Sequence, residues 1–427
     1  MADSFPSAPN AHQVRTLWLC GLLHGFTHLY NVALIPLYLP MQKQLGLSSV
    51  AQVTLLETVM MVAYFGPSYP MGVLADRLSR KQLLGWGLAV NAVGFIGLAL
   101  APNYGVALAC AAVAGLGGSF YHPSATALIA RLFPVNTGRA LGLAGIGAGA
   151  GFFAGPLYAG WRASTAGWRA PVLELGVAGL VAAAVFLWLA VEQPQSHATG
   201  RLAESARRTP IFPTPALWLL FLAAACLLSL RDFSGSTMGS LGSLFLQKAR
   251  GFDLRTTGLA LSLLFIAATV SNPLFGHLSD RARLRWTAFV LVVAAGCMAV
   301  FPRVPRAWTI PALLAYGFFF MASYPIIEAA LMQAVPDAVR GRVYGLFITV
   351  GGLLGNLAHW CAGMWVRRMG AAAAEPASYF GLYAGIGGLV LVSLAALPCL
   401  HALRQRGFPG RRYAGTGPAA AGQFDIC

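Results

Sequence analysis

Long apolar runs alternate with short polar segments along nearly the whole chain, for example at residues 89–101 and 172–191. Apolar runs of about 20 residues match the thickness of the hydrocarbon core of a bilayer. Backbone groups in lipid need hydrogen-bond partners within their own segment, so each run is predicted to be a helix. The pattern predicts twelve membrane spans, near residues 14–40, 51–71, 82–101, 104–131, 139–160, 169–191, 216–247, 257–277, 286–302, 309–333, 342–365 and 378–402.

Composition supports a membrane protein, since charged residues make up 10% of the chain and hydrophobic residues 57%. A soluble protein carries about 25% charged residues. The net charge of +16 does not indicate nucleic-acid binding, because the basic residues lie mostly in short loops. Of 29 Lys and Arg residues, 18 fall on the side of the N-terminus, 10 on the other side and one inside a span. We therefore expect both termini in the cytoplasm and a bacterial-type inner membrane.

The two halves of the chain repeat. The segment from Gly72 to Arg77 matches the segment from Gly276 to Arg281, at an offset of 204 residues. Two further sets agree within two residues of that offset: Pro123 and Pro134 with Pro325 and Pro336, and Arg139 and Gly142 with Arg342 and Gly345. We predict a six-helix bundle at 1–191, a cytoplasmic linker at 192–215, a second bundle at 216–402 and a disordered cytoplasmic tail at 403–427. In transporters built from such repeats, the substrate site lies between the halves.

The loop after the second span carries the most specific motif, which reads Gly72-x-Leu74-Ala75-Asp76-Arg77-x-Ser79-Arg80-Lys81-x-x-Leu84. It resembles the signature loop of the major facilitator superfamily, with Ser79 in place of a common glycine. The resemblance covers essentially the whole chain, and it implies an all-α membrane fold of two pseudo-symmetric six-helix bundles. It also implies a gating role for the loop and its second copy, through Gly72, Asp76, Arg77, Arg80, Lys81, Asp280 and Arg281. The alternative is an ordinary basic loop.

The fifth span contains Gly142, Gly151, Gly155, Pro156 and Gly160, with Ala159 where the related pattern has a glycine. This spacing is similar to the signature of exporters in the superfamily, and the equivalent eleventh span lacks the Gly-Pro pair. Small residues and a proline permit close helix contact and a bend, which would serve gating. Generic small-residue packing is the alternative. A helix 4 arginine common in drug/proton antiporters is missing, because the position holds Ala111.

Two short motifs resemble the fosmidomycin-resistance-type efflux proteins of the superfamily: His24-x-x-x-His28-x-x-Asn31 and Phe120-Tyr121-His122-Pro123. His24, His28 and Asn31 share one face of the first span by helical spacing. Histidine titrates near neutral pH, so these residues are candidates for a proton or substrate pathway. The alternative is that the two histidines form structural hydrogen bonds between helices. We predict that Tyr121 and His122 belong to the same pathway. The alternative for Tyr121 is that its aromatic ring only packs against neighbouring helices.

Arg231 and Asp232 lie deep in the apolar seventh span. Charges there are costly, by about 3 kcal/mol or more, and therefore mark functional sites. Arg231 stays charged and could clamp a carboxylate or phosphonate. The alternative is an internal ion pair with Asp232 or Glu328. The offset of 204 gives Asp232 the position of His28, so the repeat predicts that these two groups face each other near the central cavity.

Five further polar residues in the spans complete the predicted substrate and proton pathway. Glu328 lies four residues after Tyr324 in the tenth span and is deep enough to couple protonation to transport. Glu57 in the second span is either part of the pathway or a structural partner of a histidine or arginine. Asn356 and His359 in the eleventh span are predicted to line the cavity. Seven single cysteines give no metal spacing, and we expect neither a metal nor a cofactor.

These features predict a secondary transporter that exports a small organic compound, and anionic compounds are among the candidate substrates. Export is predicted to be driven by protons and to use alternating access. A proton-coupled uptake symporter for an organic anion is the first alternative. A membrane sensor or scaffold that binds without transporting is the second. The sequence contains no Walker loop and no nucleophile elbow, which argues against an ATP-driven pump or an enzyme. The expected partners are the substrate, protons and the lipid bilayer, without nucleic acid, and the expected unit is a monomer.

Overall fold

The structure is a computed structural model, and it describes residues 10–75, 77–192, 210–280, 282–336 and 339–406. Within those ranges the chain folds into helices joined by short loops, without strands. The twelve spans are α1 Ala11–Ala33, α2 Val50–Ala75, α3 Arg80–Leu100, α4 Tyr104–Leu132, α5 Thr137–Ala166, α6 Arg169–Leu189, α7 Pro215–Lys248, α8 Leu254–Ser279, α9 Arg283–Arg303, α10 Arg306–Ala334, α11 Arg340–Ala374 and α12 Pro376–Arg406.

Eleven of these spans are long and apolar enough to cross a membrane, and α1 completes the set of twelve. Helix α1 is less apolar because it carries His24, His28 and Asn31. It continues through a short 3₁₀ turn at Ile35–Leu37 into the helix Tyr38–Gln44. The all-α membrane fold with two six-helix bundles, α1–α6 and α7–α12, is thus confirmed.

Capping residues place the starts of several spans where the sequence changes from polar to apolar. Asn10 and Gln13 form a reciprocal capping box at the start of α1. The backbone N–H of Val106 in α4 donates to the side chain of Asn103 at 3.0 Å. At α8, the backbone N–H of Thr256 donates to Oδ1 of Asp253 at 2.7 Å, and this bond lowers the pKa of Asp253. Each cap satisfies an otherwise unpaired helix N–H.

Glycines let the spans inside each bundle approach closely. A Cβ added at Gly151 of α5 would lie 3.0 Å from the backbone N of Leu29 in α1. A Cβ at Gly355 of α11 would lie 3.3 Å from the backbone N of Phe233 in α7. Both residues of the second pair come 204 positions after those of the first. The α1–α5 and α7–α11 contacts therefore repeat with the register that the sequence repeat predicts.

The two bundles meet closely at the end of the molecule away from the chain termini, which we call the far side. There, the Ser243 hydroxyl of α7 donates to the Ile35 carbonyl at 2.7 Å, and Gln247 donates to the Pro36 carbonyl at 3.1 Å. A Cβ added at Gly258 of α8 would lie 3.1 Å from Cα of Gly160 in α5. On the terminal side, by contrast, a Cβ added at glycines of α5, α8 and α11 would meet no described atom within 4 Å: Gly142, Gly145, Gly276, Gly341 and Gly345.

Candidate functional site

The first candidate site is a charged cluster in the second bundle, formed by Arg231, Asp232, Tyr324, Glu328 and Tyr344. Arg231 of α7 donates to Oδ1 of Asp232 from Nε at 3.0 Å and from Nη2 at 2.6 Å. The side chain of Arg231 is 2% exposed, whereas that of Asp232 is 19% exposed. Arg231 is therefore buried behind a carboxylate that remains within reach of solvent or a ligand.

The Arg231 guanidinium retains binding capacity after it has paired with Asp232. Its Nη1 is buried, and no described atom accepts a hydrogen bond from it. Its Cζ lies 4.2 Å from the centroid of the Tyr324 ring in α10, so the aromatic face also stabilises the charge. The ion pair with Asp232, one of the two alternatives for Arg231, is present. An ion pair between Arg231 and Glu328 is not formed in the described part of the chain.

Glu328 completes the cluster through a different partner. The Tyr344 hydroxyl of α11 donates to Oε1 of Glu328 at 2.9 Å. Room for Asp232 comes from α11 as well, since a Cβ added at Gly351 would lie 2.8 Å from Oδ2 of Asp232. Helices α7, α10 and α11 thus hold two carboxylates and one guanidinium in one region of the second bundle.

The second candidate site is a histidine cluster in the first bundle, formed by His24 and His28 of α1 and His122 of α4. Nε2 of His28 lies 3.1 Å from Nε2 of His24. One nitrogen from each of the three rings lies within 4.8 Å of the others. The sequence motifs contain all three residues, but their helical spacing relates only His24 to His28. The approach of His122 follows from the packing of α4 against α1.

Aromatic rings surround the histidine cluster. The His24 ring stacks on Tyr121 at a centroid distance of 4.6 Å, and the His28 ring contacts Phe152 of α5 at 4.3 Å. The Tyr121 hydroxyl donates to the Cys20 carbonyl at 2.9 Å, which fixes this ring. Asn31, predicted on the same face of α1, lies beside the Tyr64 hydroxyl of α2.

His28 and Asp232 each have their nearest partners in their own bundle. The polar partner of His28 is His24, and that of Asp232 is Arg231. One connection between the bundles is aromatic, since Phe152 stacks on Phe265 of α8 at a centroid distance of 4.8 Å. That His28 and Asp232 face each other across the cavity therefore remains a prediction.

Asn356 and His359 lie in a hydrogen-bonded network that joins the bundles on the far side. The Ser240 hydroxyl lies 2.6 Å from Nδ1 of His359 and 2.8 Å from the Tyr38 hydroxyl of the first bundle. Nε2 of His359 lies 3.0 Å from Oδ1 of Asn356. The structure thus places both residues in a closed contact between the bundles, where His359 is 4% exposed.

Glu57 of α2 is fully buried, and neither of its carboxylate oxygens has a hydrogen-bond partner among the described residues. The suggested structural partnership with a histidine or arginine is therefore not found in the described structure. A buried, unpartnered carboxylate is far more stable when it is protonated. That Glu57 belongs to the substrate and proton pathway remains a prediction.

The signature loop between α2 and α3, for which a gating role is predicted, has an acidic partner that the sequence analysis did not identify. Glu192, just after α6, accepts hydrogen bonds from the backbone N–H groups of Arg80 and Lys81 at 3.0 and 3.1 Å. The Ser79 hydroxyl also donates to this carboxylate, at 2.5 Å. A carboxylate at the start of α3 is stabilised by the helix dipole. Because Glu192 follows an apolar span directly, only the folded loop shows its role.

The remaining predicted gating residues have mixed placements. Arg77 is exposed, and Asp280 forms an ion pair with Arg283 at 2.9 Å. Gly72 packs toward Pro123 of α4, since a Cβ added there would lie 3.7 Å from the proline Cβ. Asp76 and Arg281 lie outside the described residues. In α5, Gly151 and Gly155 contact α1, and the carbonyl of Pro156 contacts Gly258 of α8. A Cβ added at Gly142, by contrast, would meet no described atom of another helix within 4 Å.

Several known proteins that are similar to this chain in sequence have names that refer to transport or efflux. The chain is 27% identical to the multi-drug resistance efflux pump PmrA of Streptococcus pneumoniae, over 81% of this chain and 88% of that protein. It is 27% identical to the probable sulfoacetate transporter SauU of Cupriavidus necator, over 76% of this chain and 78% of that protein. The fosmidomycin resistance protein of Escherichia coli is 23% identical, over 67% and 70% of the two chains.

Among solved structures, a bacterial homologue of the human lysosomal transporter Spinster has the same fold, with a TM-score of 0.73 and 17% sequence identity. The match covers 93% of this chain and 98% of that structure. The family model of the Major Facilitator Superfamily matches residues 17–359. This match confirms the family resemblance that the signature loop indicates. The chain belongs to the major facilitator superfamily of transporters.

Proposed function

We propose that this protein is a proton-driven secondary transporter that exports a small organic compound carrying an anionic group. The single observation that carries the proposal is the buried Arg231 guanidinium, which has a free Nη1 beside the partly exposed Asp232. A buried charge inside a span is costly and indicates a substrate or ion pathway. Relatives named as efflux pumps and the exporter-like glycine pattern of α5 support the direction.

The substrate is proposed to bind both members of the Arg231–Asp232 pair. Nη1 of Arg231 donates to the anionic group, because guanidinium binds carboxylate and phosphonate oxygens with charge-assisted hydrogen bonds. Oδ2 of Asp232, which Arg231 does not engage, accepts a hydrogen bond from a donor group on the same molecule. Protonation of Asp232 removes that acceptor, so proton binding weakens substrate binding. This opposition between the two ligands is what antiport requires.

The bundles supply the conformational step. The far side is closed by the Tyr38–Ser240–His359 contact and by the α5–α8 glycine contact. We propose that these contacts break when the opposite side closes, so that the charged cluster is exposed to each side in turn. Glu328 is proposed as a second proton carrier, because its hydrogen bond with Tyr344 links α10 to α11.

A second candidate, proton-coupled uptake of an organic anion, is favoured by the same ion pair. If the substrate binds Arg231 alone, protonation of Asp232 frees the guanidinium and strengthens anion binding, which gives symport. The probable sulfoacetate transporter SauU, whose named substrate is an organic anion, is among the relatives. The two candidates predict opposite effects of Asp232→Asn on substrate affinity: weaker binding for export and equal or tighter binding for uptake.

The proposal is tested with a substrate screen in everted membrane vesicles under an imposed pH gradient. Phosphonates, sulfonates and carboxylates are added singly, and substrate-dependent collapse of the gradient is recorded. We expect a response to at least one anion class, and its loss in Arg231→Lys, since Lys lacks the planar fork of Arg. The control is Arg367→Lys, an exposed arginine at the far end of α11. A response restricted to lipophilic cations, or one unchanged by Arg231→Lys, contradicts the proposal.

A further inference from the structure

The histidine cluster has no part in the proposed antiport mechanism, and its geometry suggests a separate function. His24, His28 and His122 come from two spans that pack against each other, and one nitrogen of each lies within 4.8 Å of the others. All three side chains are partly buried rather than sealed from solvent. Three imidazoles at this separation have the composition of a three-histidine metal site.

Hydrogen bonds fix the proton positions on two of the rings. Nδ1 of His24 lies 3.1 Å from the Ala144 carbonyl, which can only accept, so Nδ1 carries the proton. Nε2 of His24 therefore presents a lone pair toward His28. Nε2 of His28 must donate across the 3.1 Å contact, which leaves a lone pair on its Nδ1. That Nδ1 is buried and has no hydrogen-bond partner among the described residues.

The Ala144 carbonyl plays the part that outer partners play in metal sites. A ligating histidine usually donates its other ring N–H to a carbonyl or carboxylate, which sets its tautomer and orientation. Stacking of His24 on Tyr121 and of His28 on Phe152 further restricts these rings. The His24 ring is therefore held with the lone pair of its Nε2 directed toward His28.

The nitrogen separations agree with a first-row transition metal. Zinc–nitrogen bonds of about 2.0–2.1 Å in a tetrahedral site place ligand nitrogens about 3.4 Å apart. Nε2 of His24 and Nε2 of His28 lie 3.1 Å apart through one shared proton, and a nitrogen of His122 lies within 4.8 Å of them. A metal ion bound by these nitrogens would take the place of the shared proton, which would move to the unpartnered Nδ1 of His28. Imidazole suits Zn²⁺, Co²⁺, Ni²⁺ and Cu²⁺ rather than Mg²⁺ or Ca²⁺. Three protein ligands leave a fourth position for water or an anion.

We propose that His24, His28 and His122 form a binding site for a divalent transition-metal ion, separate from the charged cluster of the second bundle. The ring contacts of the cluster are to His, Tyr and Phe, and no carboxylate contacts it within the described residues. A doubly charged ion therefore gains no compensating charge from the residues that contact the cluster. The first bundle would then bind a metal ion through the same histidines that form its hydrogen bonds.

The proposal is tested by titrating Co²⁺ into the purified protein, which must carry an affinity tag without histidines. We expect about one Co²⁺ per chain, the visible absorption of tetrahedral Co²⁺, and displacement of this signal by Zn²⁺. Replacing His24, His28 or His122 singly with Gln, which retains size and polarity, is expected to weaken Co²⁺ binding at least about tenfold. The control is His277→Gln, an exposed histidine in the last turn of α8, which should bind as wild type does.

Three results overturn the proposal. The first is no saturable Co²⁺ binding in the wild-type protein, which decides the matter without any variant. The second is wild-type binding in all three cluster variants, which would place the ion on other groups. The third is an equal loss in His277→Gln. Each variant is first checked for a single elution peak and for an unchanged thermal midpoint. These measurements involve no transport, so their failure is distinct from failure of the proposed export.

Discussion

The two bundles share a backbone arrangement but differ in the chemistry that it positions. Gly151 approaches the backbone of Leu29 as Gly355 approaches that of Phe233, 204 residues further along. At the equivalent position of α1 and α7, the first bundle has His28 and the second has Asp232. His28 joins other imidazoles and aromatic rings, whereas Asp232 joins a guanidinium.

This difference indicates what the duplicated fold specifies and what it leaves open. Close approach of the first and fifth helices of each bundle requires glycines, and Gly147 and Gly151 accordingly recur as Gly351 and Gly355. The side chain beside those glycines is not constrained in the same way, and it has diverged into two kinds of site. We therefore expect function to depend on the differences between the halves.

The largest expected effect follows from removing one charge of the second bundle. Asp232→Ala leaves Arg231 buried and unpaired, which should lower the free energy of unfolding by about 3–5 kcal/mol. His28→Ala, at the equivalent position, removes one neutral hydrogen bond and should cost about 1–3 kcal/mol. The measurement is unfolding in detergent followed by tryptophan fluorescence. As a control, the double variant Arg231→Leu/Asp232→Leu should recover most of the lost stability. Equal costs for the two alanine variants would mean that the halves are energetically alike.

A smaller effect is expected at the glycines Gly147 and Gly351, which are 204 positions apart. A Cβ added at Gly147 would overlap the backbone carbonyl of Gly21, whereas one at Gly351 would meet the movable carboxylate of Asp232. Gly147→Ala should therefore destabilise the protein by about 1–3 kcal/mol, and Gly351→Ala by less. Thermal midpoints of the two variants provide the measurement. Gly145→Ala, where no described atom lies within 4 Å of the added Cβ, is the control. A larger loss in Gly351→Ala would contradict the contrast between backbone and side-chain contacts.

The smallest effect concerns the start of α8, where Asp253 caps the helix that contacts α5 on the far side. Asp253→Ala should cost about 1 kcal/mol at pH 7. Because the cap lowers the pKa of Asp253, its contribution is present above the unfolded pKa of about 3.9 and is lost as the pH falls through the lower folded value. Thermal midpoints of the wild type and of Asp253→Ala should therefore differ at pH 7 and converge at the acid end. A difference that persists after the carboxyl is protonated would contradict the capping role.

Much of the fold could be predicted from sequence because hydropathy reports each helix independently of its neighbours. The apolar runs located the spans, and the offset of 204 between the halves agrees with the register in which the α1–α5 and α7–α11 contacts repeat. The spacing of His24 and His28 predicted that they share a helix face, and the Nε2 atoms of the two rings lie 3.1 Å apart. Local periodicity is sufficient for relations of this kind.

Relations between distant helices were less accessible. The approach of His122 to α1 depends on how α4 packs, and the Glu192 cap on α3 joins residues more than 100 positions apart. Asn356 and His359 were predicted from their polarity to line the cavity, yet the structure places them in the far-side network. Polarity shows that a buried side chain needs partners, but it does not show which contact supplies them.

The central claim is that Asp232 couples proton movement to transport, and flux in proteoliposomes that contain only this protein tests it most directly. With a substrate found in the vesicle screen and an imposed pH gradient, uphill flux is compared between wild type, Asp232→Asn and the exposed-carboxylate control Glu375→Gln. The account predicts that Asp232→Asn inserts normally but loses gradient-driven flux, while Glu375→Gln transports as wild type does. Full gradient-driven flux in Asp232→Asn would contradict it.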